Sequence, residues 1–234
     1  MNDTSGILLA GIFLSNALLS SLAITLLLCV VSLWLQSRLQ RPDNALRTLA
    51  ETLYSMMENA VREVVPVYYR QVTPLIATLW IFVLVANLTG LIPGLHSPTA
   101  DLSVTAALAI VVFFAVHWFG IRHLGLKHYL QHYLSPSPIL LPFHLISEIT
   151  RTLALAIRLF GNIMSLEMAA LLVLIVAGFL VPVPLLMLHI IEAIVQAYIF
   201  GVLALLYIGS ALENNRALQI SDSSNLQQEN TPHV

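Results

Sequence analysis

Of the chain's ten Lys and Arg residues, Arg151 and Arg158 stand inside a long apolar stretch rather than in a connector. A charged side chain at bilayer depth costs about 2.5 to 3.5 kcal/mol even on the lenient insertion scale, so it persists where it meets water, a partner charge or a functional path. His144, Glu148, Arg151, Leu155 and Arg158 follow one another at steps of 4, 3, 4 and 3. On a helix that spacing draws one polar stripe along an otherwise apolar cylinder. Asn162 lies one turn further on, and Glu167 beyond it. In the next apolar stretch His189, Glu192 and Gln196 follow at steps of 3 and 4, again on one face. Carboxylates, imidazoles and amides so placed can relay an ion, and a fixed guanidinium can attract or repel a charge that passes it.

Each of these groups also has an ordinary explanation. Glu148 and Arg151, at i and i+3, fit a salt bridge near the inner interface. His189 lies close enough to the outer turn to be an interfacial histidine, and Gly161 fits simple close packing. Arg158 resists such an account. About 20 Å of helix lies on either side of it, and no acid stands at a helical step from it. His144 with Glu148, and His189 with Glu192, have spacings that could bind a metal. Against this, no His-Glu-x-x-His occurs, and a neighbouring cation disfavours a divalent ion. A self-contained transporter would need its own carboxylate opposite Arg158, and an internal repeat is also usual; neither is evident. No Gly-x-x-x-x-Gly-Lys-Ser/Thr pattern is present, so no nucleotide site or other cofactor is expected.

The elements that must position these groups are membrane helices. Of 234 residues, 58% are hydrophobic and 9% are charged, against roughly 25% charged in soluble domains. Apolar segments run over residues 7–35, 74–95, 102–121, 139–179 and 183–212, and about 20 residues suffice for one crossing. The fourth is about twice that length, so it is expected to be tilted, partly interfacial or broken. Pro142 is expected to start or break a helix there, and residues 135–138 (Ser-Pro-Ser-Pro) to form a surface turn. The pattern implies an all-α integral membrane protein of five to six membrane helices, the last two long segments forming a tilted helical hairpin. A formal net charge of -2 and the lack of a basic stripe leave nothing to bind nucleic acid. Cys29, the single cysteine, sits mid-segment as a packing residue. The first six residues carry Asp3 and no Lys or Arg, unlike a cleavable signal.

Basic residues set the orientation. Arg38, Arg41, Arg47, Arg62 and Arg70 fall in the first long connector, Arg122 and Lys127 after the third segment, and Arg216 in the tail. The N-terminus and the turns at 94–101 and 181–184 carry none. An odd number of crossings follows, with the N-terminus outside and the C-terminus inside. Residues 1–36 are then the first transmembrane helix. Residues 37–73 are a basic inner connector, partly helical over 46–64 and lying along the membrane surface. Residues 74–140 hold two spans and an inner loop, residues 141–212 the hairpin, and residues 213–234 a disordered inner tail. Counting outward to the hairpin turn places Glu167 near the level of Glu192 to Gln196, within about two turns.

Several motifs resemble one family. Arg158-Leu159-Phe160-Gly161-Asn162, preceded by Glu148-Ile149-Thr150-Arg151 and followed by Glu167, is similar to the signature of subunit a of F-type ATP synthases. So are Gln196-Ala197-Tyr198-Ile199-Phe200 with His189 seven residues earlier, Asn87 to Pro93 (NLTGLIP), and Pro98 to Thr105 (PTADLSVT). The resemblance implies a non-catalytic stator subunit in a bacterial inner membrane, beside a ring of c subunits that each carry one carboxylate. It implies a b-subunit stalk and the remaining F0F1 subunits as further partners. On it, Arg158 is the essential arginine between two half-channels, and Asn162 and Gln196 line its contact with the ring. Glu167 and His189, with Glu192 beside them, belong to the outer half-channel; His144, Glu148 and Arg151 belong to the inner one. The family's glutamine faces the arginine, whereas the hairpin count sets Gln196 nearer Glu167. Leu166 before the acid is bulkier than expected, and Ala154 replaces a commoner serine. Protons are the expected ion, with sodium the alternative.

Overall fold

A computed structural model describes residues 7–9, 12–14, 16–39, 45–92, 97–124, 141–177 and 182–229. The expected surface turn at 135–138, part of the two outer turns, Lys127 and Arg41 lie outside these residues. Six helices carry the described chain: α1 Asn16–Leu39, α2 Ala45–Val64, α3 Tyr69–Thr89, α4 Leu102–Leu124, α5 Leu141–Ala177 and α6 Pro182–Glu229. A 3-10 turn, Pro98–Ala100, leads into α4. All of these helices but α2 are long and apolar enough to cross a membrane. The architecture is that of an all-α integral membrane protein with five such helices.

Two particulars differ from the sequence reading, and an alternative it left open is decided. The first apolar segment is not helical throughout: β1 (Ile7–Leu9) and β2 (Ile12–Leu14) pair antiparallel, with Ile7 opposite Leu14, and α1 begins at Asn16. Gly11 and Ser15 are poor helix formers, and the 24 residues from Asn16 still suffice to cross. The fourth segment is neither broken nor doubled. α5 is one helix of 37 residues, about 55 Å long, and Pro142 sits in its first turn, where a missing N–H costs nothing. The tail expected to be disordered continues α6 as helix to Glu229. Extending an existing helix avoids the nucleation cost, and Arg, Leu, Gln and Glu in that stretch are good helix formers.

In lipid the hydrophobic effect does not press helices together, so packing and buried hydrogen bonds must hold them. α3 and α6 form the most extensive contact, α4 lies against both α5 and α6, and α5 and α6 pack on each other. Val72, Ile76 and Val83 of α3 meet Val112 of α4, Leu155 and Leu159 of α5, and Phe200 and Ile208 of α6 in one buried cluster. Gly201 is what lets α3 and α6 close. A Cβ there would overlap the indole of Trp80, which stacks on Tyr198 and donates Nε1–H to the Tyr198 carbonyl at 3.2 Å. α2 folds back onto this pair, with its Val61 and the following Val65 buried and Val64 and Val65 against Gly209. α1 packs lightly against α3 and the 3-10 turn, with Ile24 the one buried side chain among its described residues.

Candidate functional site

The polar side chains singled out by spacing sort into three levels along the α5–α6 hairpin. Nearest the hairpin turn, Glu167 of α5 and His189 of α6 converge on the end of α3, each within 3.3 Å of where a Cβ on Gly90 would lie. Glu167 Oε1 accepts a hydrogen bond from the backbone N–H of Ser97 at 3.0 Å. His189 is buried. Its Nε2 lies 3.1 Å from the Asn87 carbonyl, and since a carbonyl only accepts, Nε2 carries the proton. Glu192 is half-buried one turn further along α6.

Beneath these lies a buried cluster that spacing did not reveal. Ser97 Oγ is 2.8 Å from the Ala86 carbonyl and 2.6 Å from Thr99 Oγ1, which in turn is 2.7 Å from the Asn87 side-chain oxygen. Two hydroxyl protons cannot serve three such contacts. With the Asn87 amide turned over, the chain closes: its NH2 donates to Thr99, Thr99 to Ser97, and Ser97 to Ala86. In either orientation one polar atom of the fully buried Asn87 amide is left over, as befits a site that takes a water. Asn87 and Thr99 belong to motifs that carried the family resemblance, which was the available signal; Ser97 lies just before one of them.

At the middle level Asn162 Nδ2 donates to Gln196 Oε1 at 2.8 Å, joining α5 to α6. Arg158 lies one turn of α5 inward from Asn162 and is exposed on the outer surface of the hairpin. Among the described residues it makes no hydrogen bond or ion pair with its own chain. At the level farthest from the hairpin turn Arg151 sets its guanidinium over the Tyr207 ring of α6, 4.8 Å from the centroid. Glu148 is half-buried and His144 exposed near the start of α5. Among the described residues no three His, Cys, Asp or Glu side chains gather as a metal-ligating group.

These pairs define one register: Glu167 beside His189, Asn162 opposite Gln196, Arg151 opposite Tyr207. Arg158 therefore stands at the level of Ile199 and Phe200, with Gln196 one turn outward. By the same register Glu167 stands level with Ile191, beside Glu192 and a little over one turn from Gln196, within the two turns that the hairpin count allowed.

Residues 18–209 match the profile of the family described as ATP synthase A chain. The chain belongs to that family. It is similar to "ATP synthase subunit a 1" of Hahella chejuensis, at 61% identity over 201 residues, 86% of each chain. It is similar as well to "ATP synthase subunit a" of Legionella pneumophila strain Philadelphia 1, at 64% over 163 residues, 70% of this chain and 71% of that one. A third relative is "ATP synthase subunit a 2" of Pelobacter propionicus, at 62% over 185 residues, 79% and 81% of the two chains. Membership makes this a multi-pass subunit of the membrane F0 sector of an F-type ATP synthase.

Within that family's frame the Asn162–Gln196 hydrogen bond yields a measurable expectation. Such bonds in membrane helices contribute about 0.6 kcal/mol on average and about 1.7 at most. A double-mutant cycle of Asn162→Leu and Gln196→Leu, read as thermal stability of the purified complex, should return a coupling in that range. Additive single changes would mean the two amides do not act together.

Proposed function

We propose that this chain is the ion-conducting stator of F0. On this reading it stands beside a ring of c subunits and offers each ring carboxylate two half-channels separated by Arg158. The observation that carries the reading is the position of Arg158: at mid-helix depth, on the exposed face of the hairpin, with no acid of its own chain paired to it among the described residues. A cation left so at bilayer depth calls for a charge brought by another chain. A fixed guanidinium in a low dielectric favours the ionised form of a carboxylate that approaches it. The ring site therefore gives up its ion there, and the same positive charge bars a direct leak from one half-channel to the other.

The outer path runs by Glu167, His189 and Glu192, and Asn162 and Gln196 stand between it and Arg158. The inner path runs by His144, Glu148 and Arg151. Catalysis of ATP chemistry belongs to other subunits, the b stalk holds the stator in place, and the N-terminus lies outside the cell's inner membrane with the C-terminus in the cytoplasm. Protons are the coupling ion. Inverted vesicles carrying the whole complex should acidify on ATP addition in sodium-free buffer at the rate seen with sodium present. Pumping that appears only when sodium is added would overturn the proton assignment and select a sodium-coupled complex.

A further inference from the structure

We propose that the groove between α2, α3 and α6 binds one acyl chain of an anionic phospholipid, whose phosphate is held by Arg62 and Arg70. The groove has a volume of about 410 Å³ and is walled by Met56 and Met57 of α2, Trp80 and Ile81 of α3, and Ile194 and Tyr198 of α6. Met56, Ile81, Ile194 and Tyr198 are exposed, so it opens sideways to whatever surrounds the helices. Its walls are apolar, and Trp80 Nε1–H is already donated to the Tyr198 carbonyl. Water gains no partners in such a space, and in a bilayer the surrounding medium is hydrocarbon. A helix, with side chains, is about 10 to 12 Å across; the groove has room for a single chain of methylenes.

The charge sits at the right distance. Arg62 lies over the Tyr69 ring at 5.2 Å, Arg70 lies over the same ring at 5.9 Å, and Arg70 Nε donates to the Tyr69 hydroxyl at 3.1 Å. One aromatic ring thus gathers two guanidiniums, both exposed and neither in an ion pair among the described residues. Glu58 is the carboxylate that bears on Arg70, and Glu63 follows Arg62 in the chain, but neither forms an ion pair with the two guanidiniums over the ring. Arg70 precedes Ile81 by three turns on the same face of α3, about 16 Å. Pro74 and Thr78 continue that exposed edge between them. Half the hydrocarbon thickness of a bilayer is about 15 Å, so a phosphate on the arginines places its chain end in the groove. The inference rests on the reading that this end of the bundle faces the cytoplasm, the leaflet where anionic lipids attract basic segments.

The test reconstitutes the whole complex with phosphatidylglycerol bearing a photoactivatable group at the end of one acyl chain, and with phosphatidylcholine bearing the same group. The expected result is cross-linking by phosphatidylglycerol to the α2 segment around Met56 and Met57 and to the α6 segment around Ile194. Arg62→Gln with Arg70→Gln should weaken that labelling about thirtyfold, down to the phosphatidylcholine level. Ala60→Phe, which fills the groove, should abolish labelling by both lipids while the arginines remain. Labelling at the same segments that is equal for the two lipids in the unaltered complex would overturn the role of the arginines. Absence of lipid labelling there, or cross-links from a photoactivatable residue at Met56 to another subunit's helix, would overturn the site itself. Each result stands whether the complex pumps protons or sodium, so failure here is separate from failure of the stator reading.

Discussion

Arg158→Gln should leave the complex assembled and lower ATP-driven pumping at least about a hundredfold, equivalent to about 2.7 kcal/mol. The substitution removes charge while keeping a polar side chain of similar reach. It does not cost the chain a folded-state partner, because among the described residues Arg158 pairs with no group of its own chain. Insertion should become easier, since an unneutralised cation at bilayer depth costs about 2.5 to 3.5 kcal/mol. Stability and function are therefore expected to move in opposite directions, which a merely structural arginine would not allow. The check is pumping in inverted vesicles, set beside the amount of complex on a native gel and its thermal stability. Wild-type pumping in a fully assembled Arg158→Gln complex would sink the stator mechanism and favour a transport path that ignores the arginine. Loss of assembly would instead assign Arg158 to the contact that holds the ring.

The legible part of this protein was whatever depends on runs and local spacing. Segments of twenty apolar residues mark membrane helices whatever their neighbours are; α4 begins at its expected residue, while α3 starts five residues early, at Tyr69, and takes Arg70 and Pro74 into the helix. The stripe through His144, Glu148, Arg151 and Arg158 could be drawn because α5 is one unbroken helix. What could not be read was anything set by two elements at once. The Arg151–Tyr207 contact and the Asn162–Gln196 bond depend on how far α6 slides along α5, which the spacing within either segment does not fix. Asn87, Ser97 and Thr99 meet Glu167 and His189 only because the end of α3 and the turn before α4 are carried to the outer end of the hairpin. The short strands at residues 7–14 and the helical continuation to Glu229 were missed for a different reason. Both lie at the margins of apolar runs, where hydropathy gives no boundary.

Two glycines that look alike in sequence separate the chain's own packing from packing against a partner. Gly201→Leu should prevent assembly outright, and Gly201→Ala should already reduce the amount of complex severely. A Cβ at 201 falls within the indole of Trp80, a rigid side chain stacked on Tyr198 and tied to the α6 backbone by its hydrogen bond. Overpacking costs typically about 1 to 3 kcal/mol, and here relief requires parting α3 from α6, the most extensive helix contact in the fold. At Gly161 a Cβ would meet nothing within 4 Å. Gly161→Ala should therefore stabilise α5 by about 0.5 to 1 kcal/mol through helix propensity alone, with the chain's own fold intact. Gly161 is half-buried and stands three residues from Arg158, whose side of α5 is exposed. If a ring of c subunits slides past that side, Gly161→Leu should leave the assembled chain stable yet slow pumping about tenfold or more. Thermal stability of detergent-solubilised complex, measured beside pumping, tells the two glycines apart. Wild-type pumping in a fully assembled Gly161→Leu complex would remove Gly161 from the ring-facing surface.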